Sequence, residues 1–200
     1  MGAAALLAAE ARRLNRAAGA PPAPALIFFT DPARTPDPLA AARKLPRGTG
    51  VVYRHFGAPE RARMARALAR LCRARGLALL IAADPVLALR VGADGVHWPE
   101  RLLPTQRTAQ HGRLVTAAAH GAAGLARAAA YGVDACVLSP VFPTESPSSN
   151  PPLGLFRASQ LARGAPLPVL ALGGINADNA PRLAGRGFAG LVSVGALADA

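Results

Sequence analysis

"PVLALGGINADNAPRLAGRGFAGLVSVGAL", residues 168–197, consists of two short apolar runs on either side of a polar, Ala-containing segment. Runs that are apolar throughout are typical of parallel strands covered on both faces. The segment between them predicts a helix over residues 177–186, with Asn176 or Asp178 as its N-cap. Because this strand–helix–strand unit is the repeating element of α/β folds, the fold depends on how often it recurs.

The same unit recurs along the chain. The eight predicted strands are residues 25–30, 50–56, 77–82, 95–98, 113–119, 135–141, 168–174 and 190–196. The predicted helices are residues 38–45, 59–75, 85–91, 121–131, 155–163 and 177–186, with only a short turn after the fourth strand. Eight such units in 200 residues predict a TIM (β/α)8 barrel. A doubly wound open sheet is the alternative, but no Gly-x-Gly-x-x-Gly turn follows the first strand.

The opening segment, "MGAAALLAAEARRLNRAAGA", predicts an Ala-rich helix. We therefore divide the chain into an N-terminal helix and lead-in, residues 1–24, and a barrel, residues 25–200, with the helix closing one end of the barrel. The segment lacks the basic region of a secretory signal, and no apolar run approaches the roughly 18–20 residues of a membrane helix. The cytoplasm is the expected compartment, with no membrane partner.

Composition favours a well-packed globular protein. The chain is 52% hydrophobic and has a net charge of +12, but Lys44 is its only lysine and the arginines are spread over many segments. The densest group, residues 61–75, fits an amphipathic helix with its arginines in water. We expect no nucleic-acid partner, and a field that favours anionic small molecules. Cys72 and Cys136 are expected to be buried, unpaired thiols.

Glycines end the last two predicted strands, at Gly173–Gly174 and Gly195. In parallel barrels catalytic and binding groups cluster at the carboxyl ends of the strands, and a phosphate site after the seventh and eighth strands is common. Glycines there let backbone N–H groups point at an anion. We predict that Gly173, Gly174, Val194 and Gly195 bind a phosphate. The alternative is that the glycines only make tight turns.

Other polar residues fall at strand ends. His97 and His120 are candidate acid–base groups or structural histidines, and Arg54 could pair with a diphosphate or simply lie at the rim. Trp98 could stack on a planar heterocycle or pack under a loop.

Several strings carry a family resemblance. They are "FFTD" (28–31), "VGADGVHW" (91–98), "SPVFPT" (139–144), "PPLGL" (151–155) and residues 168–197, in order from about residue 25 to 197. The chain thus resembles the thiamine-phosphate synthase/TenI family. The resemblance implies a TIM barrel of thiamine biosynthesis. The synthase branch joins a pyrimidine diphosphate to a thiazole phosphate with Mg²⁺ and releases pyrophosphate, whereas the TenI branch is a metal-independent thiazole tautomerase.

This chain retains part of the residues that the resemblance implies. Arg54, His120 and Thr144 stand where the family has its Arg, His and Thr, and with His97 they form the candidate catalytic set. Positions that differ are Val52, Phe56, Ala118 and Pro147, where the family has Gln, Lys, Ser and Lys, and Pro140, where the TenI branch has its His. The Mg²⁺ carboxylates are also missing, so that no metal ligand is assigned and only Asp84 and Glu100 are weak candidates.

Three functions follow from this pattern. The first is a synthase with a reworked site, in which Mg²⁺ would be the cofactor. The second is a metal-independent enzyme of the TenI type, acting on a thiazole phosphate. The third is a non-catalytic barrel that binds a phosphorylated ligand. The retained and lost residues favour thiazole-phosphate binding with weak diphosphate chemistry or none.

Overall fold

The computed structural model describes residues 2–106, 113–144 and 151–194. Its eight strands are β1 (Leu26–Phe29), β2 (Gly50–Tyr53), β3 (Ala78–Ala82), β4 (Gly95–Trp98), β5 (Leu114–Ala119), β6 (Ala135–Leu138), β7 (Val169–Ala171) and β8 (Phe188–Ser193). Each strand pairs in parallel with the next, and β8 pairs with β1 to close the barrel. The predicted TIM barrel is confirmed, and the open-sheet alternative is wrong.

Six α-helices lie in the described part of the chain. They are α1 (Ala3–Ala17), α2 (Pro38–Lys44), α3 (Arg61–Arg75), α4 (Pro85–Val91), α5 (Ala122–Tyr131) and α6 (Gly154–Gly164). A 3-10 turn at Glu100–Leu102 follows β4, as the short turn predicted there. Within the described residues, no helix combines the length and the apolar character needed to cross a membrane.

The predicted helix over residues 177–186 is wrong: only a 3-10 turn at Ala180–Leu183 forms there. Pro181 lies inside the predicted helix, where it would lack an N–H donor and clash with the preceding turn. The Asn176 side chain accepts hydrogen bonds from the N–H groups of Asp178 and Asn179, both at 3.0 Å, which holds this turn in a non-helical form. Asn176 thus makes an Asx turn instead of capping an α-helix.

Alternation along the strands divides the core into two layers. Inward-facing residues form a cluster inside the barrel, consisting of Ala23, Ile27, Phe29, Val52, Leu80, Ala82, Ala135, Val137, Leu170, Ala189 and Val192. Outward-facing strand residues pack with the helices in a second, larger cluster. Cys72 and Cys136 belong to that outer cluster, and burial raises the pKa of both thiols to about 12. They are the buried, unpaired thiols that the sequence predicts.

The N-terminal helix does not plug the barrel. Leu7, Ala11 and Leu14 of α1 belong to the outer cluster, and the helix covers the outer face of β8 and β1. The lead-in residue Ala23, 4% exposed, is the part of the N-terminal segment that joins the interior cluster. The apolar stripe of α1 therefore serves as an outer helix of the barrel.

Candidate functional site

Arg54 is fixed at the carboxyl end of β2. Its backbone N–H donates to Thr30 Oγ1 at 3.0 Å and its Nε donates to the Thr30 carbonyl at 2.9 Å. Its Nη2 lies 3.4 Å from Asp31 Oδ2, and the guanidinium lies 4.9 Å from the centre of the Phe29 ring. Burial lowers the pKa of Arg54 and the Asp31 carboxylate opposes that shift, so the residue stays a cation. A fixed positive charge therefore stands at the barrel mouth.

His97 lies inside the barrel, below Arg54. It is 2% exposed, its Nδ1 is 2.9 Å from Thr116 Oγ1, and its ring meets the Phe29 ring edge-on at 4.7 Å. Burial, reinforced by the Arg54 charge, lowers the pKa of His97 to about 3, so the imidazole is neutral at pH 7. The catalytic role of His97 stays a prediction, but the residue does not lie on the rim as a strand-end position suggests.

His120 lies on the rim, beside Glu100. The His120 Nδ1 is 2.6 Å from Glu100 Oε2, and the His120 backbone N–H donates to the same oxygen at 2.8 Å. Arg127 donates from Nη2 to the Glu100 carbonyl. A Cβ atom at Gly124 would lie 2.7 Å from Glu100 Oε1, so the carboxylate packs directly on the first turn of α5. The two predicted histidines are thus in different surroundings, one inside the barrel and one on its rim.

Asp84 is engaged on both carboxylate oxygens. Oδ1 accepts the Leu87 N–H at 2.8 Å, which caps α4, and Oδ2 lies 2.9 Å from Arg61 Nη1. Arg61 also donates from Nη2 to the Ala82 carbonyl at 2.8 Å. The arginines of residues 61–75 are predicted to lie in water, and for Arg61, whose side chain is 17% exposed, that prediction is wrong.

The residues present do not fit Mg²⁺. This ion prefers carboxylate oxygens with free coordination positions, whereas Asp84 holds Arg61 and α4, and Glu100 holds His120 and α5. In the described parts of the chain no group of three or more His, Cys, Asp or Glu side chains is placed to hold a metal ion.

Gly173 and Gly174 form a close contact with the loop after β6. Their φ angles are +99° and +62°, and added Cβ atoms would lie 2.6 Å from Pro140 Cβ and 2.1 Å from the Pro143 carbonyl oxygen, respectively. Both glycines therefore make tight turns, which is the part of the alternative prediction that the backbone shows. No described residue accepts a hydrogen bond from the N–H of either glycine, and phosphate binding at these residues stays a prediction.

The remaining predicted residues lie nearby or outside the described chain. Thr144 is half-buried and directly follows Pro143, so it lies at the same part of the mouth as Gly174. Val194 is half-buried at the end of β8 and packs on the interior cluster. Gly195, and residues 145–150 of the loop after β6, lie outside the described residues.

Two strand residues, Trp98 and Thr116, show how far the alternation of side chains along a strand predicts the surroundings of a residue. Trp98 is 7% exposed and belongs to the outer cluster, so it packs as a core residue instead of stacking on a ligand. Thr116, the partner of His97, was missed, although its register opposite His97 in the paired strands puts both on one side of the sheet. The signal that could have identified Thr116 is a hydroxyl-bearing residue at an inward-facing position of β5.

Comparisons with known proteins agree on one family. The family model described as thiamine monophosphate synthase matches residues 27–197. The chain is 34% identical over 182 residues to the thiamine-phosphate synthase of Alcanivorax borkumensis, covering 86% of this chain and 84% of the relative. It is 36% identical over 138 residues to a putative thiamine-phosphate synthase of Geobacter sulfurreducens, covering 67% of this chain and 65% of the relative.

A solved structure supports the fold. Thiamine phosphate pyrophosphorylase from Pyrococcus furiosus superposes with a TM-score of 0.73 at 24% identity, covering 88% of this chain and 87% of that one. Together with the family match over nearly the whole barrel, these findings show that the chain belongs to the thiamine-phosphate synthase/TenI family of thiamine biosynthesis.

Proposed function

We propose that this protein binds a thiazole phosphate at the carboxyl ends of β7 and β8, in the cytoplasm, as its part in thiamine biosynthesis. The observation that carries the proposal is the pair of N–H donors at Gly173 and Gly174, which no described residue accepts. Backbone donors of this kind bind phosphate because they are fixed before the ligand arrives. The charge of +12 adds a field that attracts anions to the mouth.

We further propose that the protein has little or no Mg²⁺-assisted diphosphate chemistry. Expelling a diphosphate requires the developing negative charge to be neutralised. Here the Asp84 carboxylate pairs with Arg61 and the Glu100 carboxylate contacts His120, and Phe56 and Pro147 stand where the family has lysines. Arg54 is the cation that remains fixed at the mouth from the family's set.

We expect thiamine phosphate formation from pyrimidine diphosphate, thiazole phosphate and Mg²⁺ to be at least about 100-fold slower than with the Alcanivorax borkumensis relative assayed alongside. Two lost charged contacts at about 1.5–3 kcal/mol each are enough for that difference. Adding a chelator should leave any residual rate of this protein unchanged. A rate equal to that of the relative, and abolished by the chelator, would contradict the proposed loss of the metal site.

We expect Val194→Glu to weaken thiazole-phosphate binding at least about 10-fold relative to Val194→Gln, or about 1.4 kcal/mol, by calorimetry. The two substitutions cost the same packing on the interior cluster. Only Glu places a negative charge beside the proposed phosphate, and like charges at a few ångströms repel strongly when partly buried. Equal affinities for the two variants would place the phosphate elsewhere.

Two other functions remain as candidates at the same mouth. A non-catalytic barrel would bind thiazole phosphate and turn nothing over. A metal-independent enzyme of the TenI type is favoured by a specific observation, the Glu100–His120 contact of 2.6 Å, because it supplies a base without a metal.

A further inference from the structure

We infer that the outer surface of α2, α3 and α4 binds an acidic partner protein, whose carboxylates meet a continuous group of arginines. The observation behind this inference is a separation of charge that is not visible along the linear sequence. Residues 38–49, 61–79 and 85–93 contain these three helices and the turns after them. They hold ten of the chain's 23 Lys and Arg residues and no Asp or Glu. Because α3 packs against both α2 and α4, the ten basic residues lie on one side of the barrel.

Most of these basic side chains have no acidic partner. Two of them are paired near the mouth, Arg61 with Asp84 at 2.9 Å and Arg63 with Glu60 at 2.6 Å. The other eight are exposed and form no ion pair with any residue that the structure describes. These eight form the basic face: Arg43, Lys44, Arg47, Arg66, Arg70, Arg73, Arg75 and Arg90. Its charge is therefore left to be neutralised by another molecule or by salt.

The basic face is continuous across the three helices. A Cβ atom at Gly76, the C-cap of α3, would lie 2.9 Å from Arg47 Nη2, so this guanidinium from the turn after α2 lies across the end of α3. A Cβ atom at Gly92, the C-cap of α4, would lie 3.3 Å from Arg73 Nη2, so Arg73 of α3 reaches the end of α4. Basic side chains thus connect each helix to the next.

The stability of α3 does not explain its part of the basic face. Arg66, Arg70 and Arg73 follow one another at spacings of four and three residues, which places them on one side of the helix. Like charges at these spacings destabilise a helix. The helix dipole favours Arg73 and Arg75, which lie in the last turn, but it gives nothing to Arg66 and Arg70 in the middle.

The basic face lies away from the candidate functional site. Arg43 and Lys44 are in the last turn of α2, Arg75 is in that of α3, and Arg90 is in that of α4. Each helix of this barrel returns the chain to the amino end of the next strand, so these helix ends lie opposite the mouth. A partner bound there leaves the mouth open, and the inference does not depend on the proposed function.

The composition of the surface favours a protein over a nucleic acid or a membrane. Val86 and Leu89, three residues apart on α4, are 57% and 65% exposed, and arginines beside apolar anchors are typical of protein interfaces. The three segments contain no Phe, Tyr or Trp on which a base could stack. Membrane insertion would need a free apolar helix face, whereas Leu68 and Cys72 of α3 are buried in the outer cluster.

The test uses the full chain and a fluorescein-labelled peptide of Glu and Leu as the probe, with binding followed by fluorescence anisotropy. We expect the wild type to bind the peptide at an ionic strength of about 0.01 M and much more weakly at about 0.15 M, because salt screens exposed charges. In the NMR spectrum, the peptide should shift the backbone amide signals of α3 and α4 and leave those of α6 unchanged. The shifts locate the binding surface without any substitution.

Two triple variants separate the basic face from the net charge. Arg66→Gln with Arg70→Gln and Arg73→Gln should weaken binding of the peptide at least about 5-fold, since three exposed ion pairs of small individual effect are lost. The matched control removes three exposed arginines from α1 and α6, and so changes the net charge equally: Arg12→Gln, Arg16→Gln and Arg157→Gln. It should bind within about 2-fold of the wild type. Far-UV circular dichroism checks that both variants fold.

The apolar part of the surface has its own variant. Val86→Gln with Leu89→Gln should weaken binding of the Glu–Leu peptide and leave binding of poly-glutamate unchanged. Equal weakening of both probes would contradict a role for these two side chains in binding the partner.

Four results would overturn the inference. The first is equal weakening by the two triple variants, which would make binding an effect of net charge, and the second is peptide-induced shifts that fall outside α2, α3 and α4. The third is tighter binding of a random DNA duplex or of phosphatidylserine vesicles than of the peptide, which would assign the face to another class of partner. The fourth is no binding of the peptide at low ionic strength, which would leave the face neutralised by salt alone.

Discussion

We expect Gly95→Ala to remove the folded barrel from solution. Gly95 begins β4 and is paired with Leu80 of β3 and Leu114 of β5. A Cβ atom at this position would lie 2.1 Å from the Leu114 carbonyl oxygen and 2.9 Å from the Leu114 carbonyl carbon. Backbone cannot yield as a flexible side chain can, so β4 and β5 would have to separate. A closed barrel has no free edge strand that could shift to accommodate this separation of β4 and β5.

The size of the effect follows from the total stability. Single substitutions that force the backbone apart fall in the exceptional class of about 4 kcal/mol or more, against a total of about 5–15 kcal/mol for a domain. For a chain of this length that lowers Tm by at least about 8 °C. Soluble yield, far-UV circular dichroism and thermal melting measure it.

Gly164→Ala is the matched control. Gly164 ends α6, a Cβ atom there would meet nothing within 4 Å, and its φ is not in the left-handed region. The same chemical change should be neutral, or stabilise by up to about 1 kcal/mol. If Gly95→Ala melts within a few degrees of Gly164→Ala, the close approach of β4 and β5 is not as described.

The barrel itself is readable from the sequence because apolar runs and helix stripes report burial directly. The helix predicted over residues 177–186 failed where local chemistry outweighed composition: Pro181 removed a donor, and Asn176 offered the backbone an alternative hydrogen bond. The N-terminal helix was placed at the barrel end because its stripe shows that it packs, but not against which surface.

The site is harder to predict from the sequence, because it depends on which polar and charged side chains contact each other in the folded barrel. Asp84 and Glu100 stand out as acids near strand ends, yet their partners lie far along the chain, at Arg61 and His120. In a chain with arginines in most of its segments, nothing local distinguishes Arg61 from its neighbours. His97 shows the opposite case. Its strand position was read correctly, but its depth inside the barrel depends on Phe29 and Thr116, which only the closed sheet brings to it.

The burial of His97 inside the barrel gives the second large expected effect, which is a dependence of the free energy of unfolding on pH. The folded protein holds this imidazole neutral, with a pKa of about 3, because it is buried beneath Arg54. In the unfolded chain it titrates at about 6.5. Between those values the unfolded state binds more protons, so the free energy of unfolding falls as the pH falls. The stability is fully present above pH 6.5 and is lost toward pH 3, by about 1.4 kcal/mol per pH unit.

His97→Gln removes this titration while keeping a polar group opposite Thr116. At pH 7 we expect the variant to be about 1–3 kcal/mol less stable than the wild type, because it loses packing against Phe29. As the pH falls to 4.5 the gap should close by about 2–3 kcal/mol, since only the wild type takes up a proton at this position when it unfolds. Urea unfolding of both proteins at pH 7, 6, 5 and 4.5 gives the difference.

The difference in the free energy of unfolding between the wild type and His97→Gln isolates the contribution of His97 from those of the other titrating groups. His55, whose pKa burial also lowers, and the carboxylates contribute equally to both proteins and cancel. Leu80→Val, a non-titrating change in the same interior cluster, should keep a constant gap to the wild type over this pH range. A gap for His97→Gln that also stays constant would mean that the imidazole is protonated in the folded barrel at pH 5. The neutral, solvent-excluded His97 described beneath Arg54 would then be wrong.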